Sequence, residues 1–203
     1  MAATGIAPLT IPRYTKDLDA VSSYFDAREF AAVKTKYNAK QQWKAISLRG
    51  FSNDPLDILK PNVLGSRQKD TGKLQDTPLR DVPALQPLNE IIACLPTDCE
   101  RIRVMRLTAR TQISKHTDKI DKMIGLRDGQ VARIHIPIRT HPFVVFSIWQ
   151  DKVKRDYFLQ QGRFYFTNVV LPHCVKNNWT KDRLHLVVDC YVNDKLRSLI
   201  PLS

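Results

Sequence analysis

The stretch Val131 to Ile138 places the tightest limit on what this chain folds into. Ala132, Ile134, Ile136 and Ile138 fall on one face of a strand and Arg133 and His135 on the other, because strand side chains alternate with period two. Leu184 to Val192 repeats the arrangement, with Arg183 and His185 two positions apart in an apolar run. The apolar faces need a cover. If helices provide it, the cations line a barrel interior, where buried charges require partners; the alternative is that the cationic faces meet solvent. Two strands sharing one placement favour the interior.

Further strands are expected around Ile102-Arg103-Val104, in the apolar run Phe143 to Trp149 and at Arg163 to Phe166. Short strands at such intervals indicate a sandwich or barrel. The first third reads as helical. Thr15 or Asp17 caps a helix with Leu18, Val21, Tyr24 and Phe25 on one side, and Asp26 to Glu29 resembles a capping box opening a second helix through Phe30, Val33 and Tyr37. Residues 50 to 83 hold three glycines and four prolines and are read as loops and short strands over the domain. A last helix carries Leu85, Leu88, Ile92 and Leu95 up to Pro96. The expected architecture is mainly β with N-terminal helices: a jelly roll, or double-stranded β-helix of cupin-like form, at 101–195, with a helical and loop region at 1–100 packed on it as part of one domain, 1–203.

With 43% hydrophobic and 26% charged residues, the composition is that of an ordinary folded protein and excludes a disordered chain. No apolar run is long enough to span a bilayer, and Met1 to Pro12 lacks the marks of a secretory signal, so a cytoplasmic location without membrane contact is expected. Cys94, Cys99, Cys174 and Cys190 form no Cys-x-x-Cys pair, which removes zinc-finger and thioredoxin readings and leaves four thiols. The net charge of +12 suits anions in general, but the basic residues are dispersed. Its densest cluster, Lys152 to Arg155, is interrupted, so a nucleic-acid partner is not expected.

His116-Thr117-Asp118 supplies two metal-ligating side chains that share one face of a strand, and His173 follows 55 residues later (173 − 118). Two histidines and one carboxylate form the facial triad of non-haem Fe(II) oxygenases, although zinc accepts the same ligands. Arg183, ten residues on (183 − 173), is placed to pair bidentately with a dicarboxylate whose other end reaches the metal.

These motifs together, Arg133-Ile-His-Ile-Pro-Ile-Arg-Thr140, His116-Thr-Asp118 and Pro172-His173 through Asp182-Arg183-Leu-His-Leu-Val-Val-Asp189, resemble the aspartyl/asparaginyl β-hydroxylase family. Within it they are most similar to small bacterial amino-acid hydroxylases of the proline cis-hydroxylase type. The likeness runs over about residues 101 to 192. It implies a double-stranded β-helix that uses Fe(II), 2-oxoglutarate and O2. By position, His116, Asp118 and His173 become the iron ligands, Arg183 the partner of the distal 2-oxoglutarate carboxylate, and Arg133 and His135 neighbours of its metal-binding end. Some peptide-modifying relatives have Gly in place of Asp118, so the carboxylate favours the amino-acid side of the family, or at least an ordinary triad. The chain departs from the family at Thr108 to Thr111, where a small polar or glycine-containing turn is usual; Arg110 is a substrate contact there or a surface turn residue. His141, Trp43 and Arg49 are further substrate-pocket candidates, and Lys119 to Gln130 is long enough for a flap.

The expected function is hydroxylation of an unactivated C–H bond in a free amino acid or small derivative, coupled to decarboxylation of 2-oxoglutarate to succinate. The competing readings are Asp/Asn-type hydroxylation of a protein or peptide side chain, a basic binding protein without turnover, and nucleic-acid dealkylation.

Overall fold

Strand alternation and breaker spacing resolve into twelve strands and three α-helices among residues 5–61, 72–118 and 123–201, which the computed structural model describes. In chain order they are β1 (Ile6–Pro8), α1 (Leu18–Asp26), β2 (Ala31–Ala32), β3 (Trp43–Gly50), β4 (Gln75–Asp76), α2 (Gln86–Ala93), β5 (Cys99–Leu107), β6 (Thr111–His116) and β7 (Val131–Arg139). There follow β8 (Val144–Gln150), β9 (Val153–Tyr157), β10 (Tyr165–Thr167), β11 (His173–Asn177), β12 (Arg183–Tyr191) and α3 (Asp194–Ser198). The large antiparallel sheet has the order β1-β10-β7-β12-β5-β3-β2, with β4 on β3; the small one is β6-β11-β8-β9. Two antiparallel sheets in this order make the expected jelly roll.

The alternation of β7 and β12 sorts the layers. Ile134, Ile136, Ile138, Leu184, Leu186 and Val188 turn to one core, where they meet Leu18, Val21 and Phe25 of α1 and Leu88 and Ile91 of α2. The other face of the large sheet looks toward the small sheet. There Leu107 and Tyr165 meet Ile113, Phe146, Ile148 and Val175 in a second core. Pro137 has no N–H to give the β7–β12 ladder, and the register shifts beside it, between Leu184 and His185. The exposed edge strand β9 holds Lys154 and Arg155, a charged edge that discourages further strand addition.

The N-terminal region departs from the helical expectation. The capping box at Asp26 does not open a helix. Its carboxylate instead receives both guanidinium nitrogens of Arg139 at 2.8 Å, and Phe30 is held under the Arg106 guanidinium, 4.1 Å from the ring centroid. The chain enters β2 and then a single 3-10 turn at Lys36–Asn38. Trp43–Gly50 is a strand of the large sheet, so the first hundred residues supply β-structure as well as cover. Asp17 precedes α1 with φ 51° and makes no side-chain cap. The proposed flap at Lys119 to Gln130 lies partly outside the described residues, as does part of the loop region at 50 to 83.

Candidate metal centre

His116 closes β6 and His173 opens β11, and the two stand directly opposite in the antiparallel register. Their ring centroids are 4.2 Å apart. Asp118 follows just beyond the strand, where its N–H donates to the Val169 carbonyl at 2.9 Å. Its Oδ1 comes to 3.7 Å from Nε2 of His116. One ligand atom from each of His116, Asp118 and His173 lies within 4.8 Å of the other two.

Both imidazoles are aimed by backbone. Nδ1 of His116 lies 2.7 Å from the Ser114 carbonyl, and Nδ1 of His173 lies 2.9 Å from the Leu171 carbonyl. A carbonyl only accepts, so each Nδ1 carries the proton and each Nε2 presents its lone pair, the orientation a metal ligand requires. Burial and then the adjacent His116 push His173 down to about 4, which keeps it neutral near pH 7. Asp118 gives its second oxygen to Arg133 Nη1 at 2.5 Å, which leaves Oδ1 facing the histidines. This donor set fits a divalent metal.

A cavity of about 380 Å³ opens beside the three ligands. Arg183 and His135 line it, as expected from the alternation of β7 and β12. Arg183 is buried, and among the described residues no carboxylate pairs with it. It donates instead to His185 Nδ1 at 2.7 Å, and its Nε has no hydrogen-bond partner. Burial lowers Arg183 to about 9. Nδ1 of His135 and Nε2 of His185 are likewise buried and unpartnered, and burial, then the Arg183 charge, holds both rings well below the ordinary histidine value. A buried cation beside two neutral imidazoles presents a surface complementary to an anion.

Arg133 lines the cavity but is committed to protein carboxylates. Besides Asp118 it donates through Nε to Asp189 at 2.7 Å, and Asp189 also receives Arg101 at 2.7 Å and Arg103 at 3.1 Å. Burial alone would raise Asp189, but the three guanidiniums hold its carboxyl well below the usual range. Arg101, Arg103 and Asp189 form the wall behind the site. Arg101 and Arg103 share the i, i+2 pattern that singled out Arg133 and His135, a signal also present in the sequence. Tyr37, equally unanticipated, stacks on His116 with centroids 5.0 Å apart.

Of the remaining candidates, Trp43 lines the cavity, 5.9 Å from the His116 ring. The other three stand outside the lining residues. His141 stacks on Trp179 at 5.0 Å, beside the ends of β7 and β11 remote from the metal ligands. Arg110 occupies the β5–β6 turn at φ 59°, its N–H bonded to the Trp179 carbonyl. Arg49 is taken up by Asp76 at 3.0 Å and by the Cys99 carbonyl. Arg49 and His141 thus pair away from the cavity.

A sequence model described as Aspartyl/Asparaginyl beta-hydroxylase matches residues 12–192. The chain belongs to this family. It is therefore a 2-oxoglutarate-dependent oxygenase by class, as its motifs imply. Among solved structures it is similar to HygX from Streptomyces hygroscopicus with nickel and 2-oxoglutarate bound, at 12% identity and TM-score 0.56 over 95% of this chain and 84% of that one. An oxidoreductase of the 2OG-Fe(II) oxygenase family from Burkholderia pseudomallei gives 10% identity and TM-score 0.51 over 86% and 77%. The epimerase SnoN from nogalamycin biosynthesis, described as non-heme and alpha-ketoglutarate dependent, gives 13% and 0.52 over 98% and 84%. At such identities these likenesses speak for the fold. No curated protein matches. No helix among the described residues is long and apolar enough to cross a membrane.

Proposed function

We propose that this family member hydroxylates an unactivated C–H bond of a free amino acid or small amino-acid derivative, using Fe(II), 2-oxoglutarate and O2. Nε2 of His116, Nε2 of His173 and Oδ1 of Asp118 hold the iron. Arg183 receives the distal carboxylate of 2-oxoglutarate, with His135 and His185 as polar neighbours. The single observation that carries the reading is Arg183: a buried guanidinium with no carboxylate partner among the described residues, facing the same cavity as three convergent candidate metal donors. A dicarboxylate satisfies it and leaves its other end for the metal.

When bound, iron and co-substrate supply the oxidising power for C–H hydroxylation, with 2-oxoglutarate converted to succinate and CO2. The chain's own residues position and exclude. Arg133 holds Asp118 by one oxygen and so fixes the direction of the other. Tyr37 and Trp43 pack about His116, and Phe146 stacks on His173 at 5.7 Å, shielding the metal ligands from water. The apolar side of the cavity, with Val33, Ile58, Met105 and Val187, is suited to a small aliphatic body. Support for a small molecule also comes from the HygX fold, found with hygromycin B bound. The family's description favours an Asp or Asn side chain of a peptide as the second reading. The cytoplasm is the compartment proposed, where the four free thiols persist.

Anaerobic titration with Fe(II) and 2-oxoglutarate, followed by aerobic screening of free amino acids against peptides, tests the proposal. A weak visible charge-transfer band and amino-acid-dependent succinate are expected, and both disappear in His173→Ala. Succinate stimulated by peptides alone moves the assignment to the second reading. No band and no succinate with either class sinks both.

A further inference from the structure

Cys99 opens β5 and Cys190 lies near the end of β12, opposite each other in the antiparallel register. The register shifts between Asp189 and Cys190, which leaves Glu100 as the extra residue on β5. Just beyond, the Tyr191 N–H donates to the Asp98 carbonyl at 2.9 Å, so Cys99 and Cys190 form the adjacent non-hydrogen-bonded pair. Such pairs bring opposed Cα atoms to about 4.5 Å with their side chains closest. That separation falls within the ~4.4–6.8 Å that a disulfide spans. The thiols already face one another, Sγ to Sγ 3.9 Å, and both residues are buried.

The two sulfurs differ chemically. The hydrogen bond shared with Cys190 lowers Cys99 against the effect of burial, and the Arg49 guanidinium, whose Nε donates to the Cys99 carbonyl at 3.0 Å, acts in the lowering direction. The same hydrogen bond, together with burial, pushes the Cys190 thiol well up. Cys99 also keeps a little exposure at 7%, against 0% for Cys190. One sulfur is therefore set to react first and the other to resolve the product.

We propose that Cys99 and Cys190 constitute a redox site, a dithiol that hydrogen peroxide closes to an intramolecular disulfide. The Cys99 thiolate attacks one peroxide oxygen, the O–O bond breaks, and Cys99 becomes a sulfenic acid as hydroxide leaves and takes up the proton released when Cys99 ionised. The Cys190 sulfur then attacks the Cys99 sulfur, the S–O bond breaks, and the departing hydroxide takes up the Cys190 proton. In sum two thiols are oxidised, one peroxide is reduced, and two waters form. The bond joins residues 91 positions apart, directly behind Asp189 and the three arginines it holds. A closure of that length restricts the unfolded chain and raises Tm.

The test treats the full-length protein with a slight excess of hydrogen peroxide, alkylates it under denaturing conditions, and maps the peptides. Expected are a mass loss of about 2 Da before alkylation, for the two hydrogens removed, and a peptide pair joined through Cys99 and Cys190 that dithiothreitol separates. Cys94 and Cys174 stay alkylated, and the oxidised form melts higher. In Cys190→Ser, dimedone traps a sulfenic acid at Cys99 and no cross-link forms. Any product set of the parent protein without the Cys99–Cys190 link overturns the proposal, including oxidation of the exposed Cys94 alone.

Discussion

Replacing Arg183 by Met separates the needs of the site from those of the fold. In the free protein the Arg183 charge is buried with no carboxylate partner among the described residues, and burial brings its pKa down from the ordinary guanidinium range to about 9. At about 1.4 kcal/mol per tenfold change, the burial penalty is on the order of 5 kcal/mol, an upper bound because the surroundings relax. Against it stands the hydrogen bond to His185, which leaves Nδ1 of that ring unpaired when removed, at a cost of about 1–3 kcal/mol. The ligand-free variant is therefore expected to be more stable than the parent by at most about 2–4 kcal/mol, or roughly 4–16 °C in Tm for a chain of this size. The folded value lies below the unfolded one, so the guanidinium is charged in both states at any pH well under about 9, and the gain stays constant from pH 6 to 8. The 2-oxoglutarate site behaves oppositely. Losing one partner of a buried charge pair costs about 2–5 kcal/mol, so the midpoint for 2-oxoglutarate rises at least ~30-fold. Differential scanning fluorimetry with and without 2-oxoglutarate, under anaerobic conditions, reads both effects. A variant less stable than the parent that keeps the parent's 2-oxoglutarate midpoint would refute the reasoning.

Acid should unfold the metal-free protein early. His135 and His185 are held well below the ordinary value and His173 at about 4, so the unfolded chain binds more protons as pH drops below about 6.5. Three such groups cost about 4 kcal/mol between pH 7 and 5.5, a Tm loss near ~10 °C, whereas a flat Tm over that range contradicts the burial of these rings. Asp189→Asn removes the carboxylate shared by Arg101, Arg103 and Arg133 and is expected to cost about 3–5 kcal/mol in urea unfolding, against under 1 kcal/mol if the cluster were solvated. Gly162→Ala puts a Cβ at 1.8 Å from the Tyr14 carbonyl oxygen at φ 70°, and a loss of at least ~2 kcal/mol is expected by the same measurement.

The large-sheet strands and the cationic strand faces were legible because both depend on local periodicity. The i, i+2 pairs Arg133/His135 and Arg183/His185 share a strand face whatever the strand pairs with, and the pleat then sends Ile134, Ile136, Leu184 and Leu186 to the helix side. The His116, Asp118 and His173 set was legible from donor chemistry. The failures are residues whose local signals were overruled by distant partners. Asp26 reads as a helix cap until Arg139 claims its carboxylate across 113 positions. Arg49 and His141 resemble pocket residues by type, but Asp76 and Trp179 engage them elsewhere.

Sequence alone therefore determined the fold class, the candidate metal-ligating set and the cationic strand faces, since each follows from side-chain period and residue type. Only the tertiary structure decided which partners those groups meet. It placed Asp189 beneath three arginines, set Cys99 against Cys190, brought Tyr37 and Trp43 onto His116, and left Arg183 without a carboxylate among the described residues. The physical reason is range. A strand's pleat is set within a few residues, but the neighbours of a buried charge are fixed by register between strands far apart in the chain.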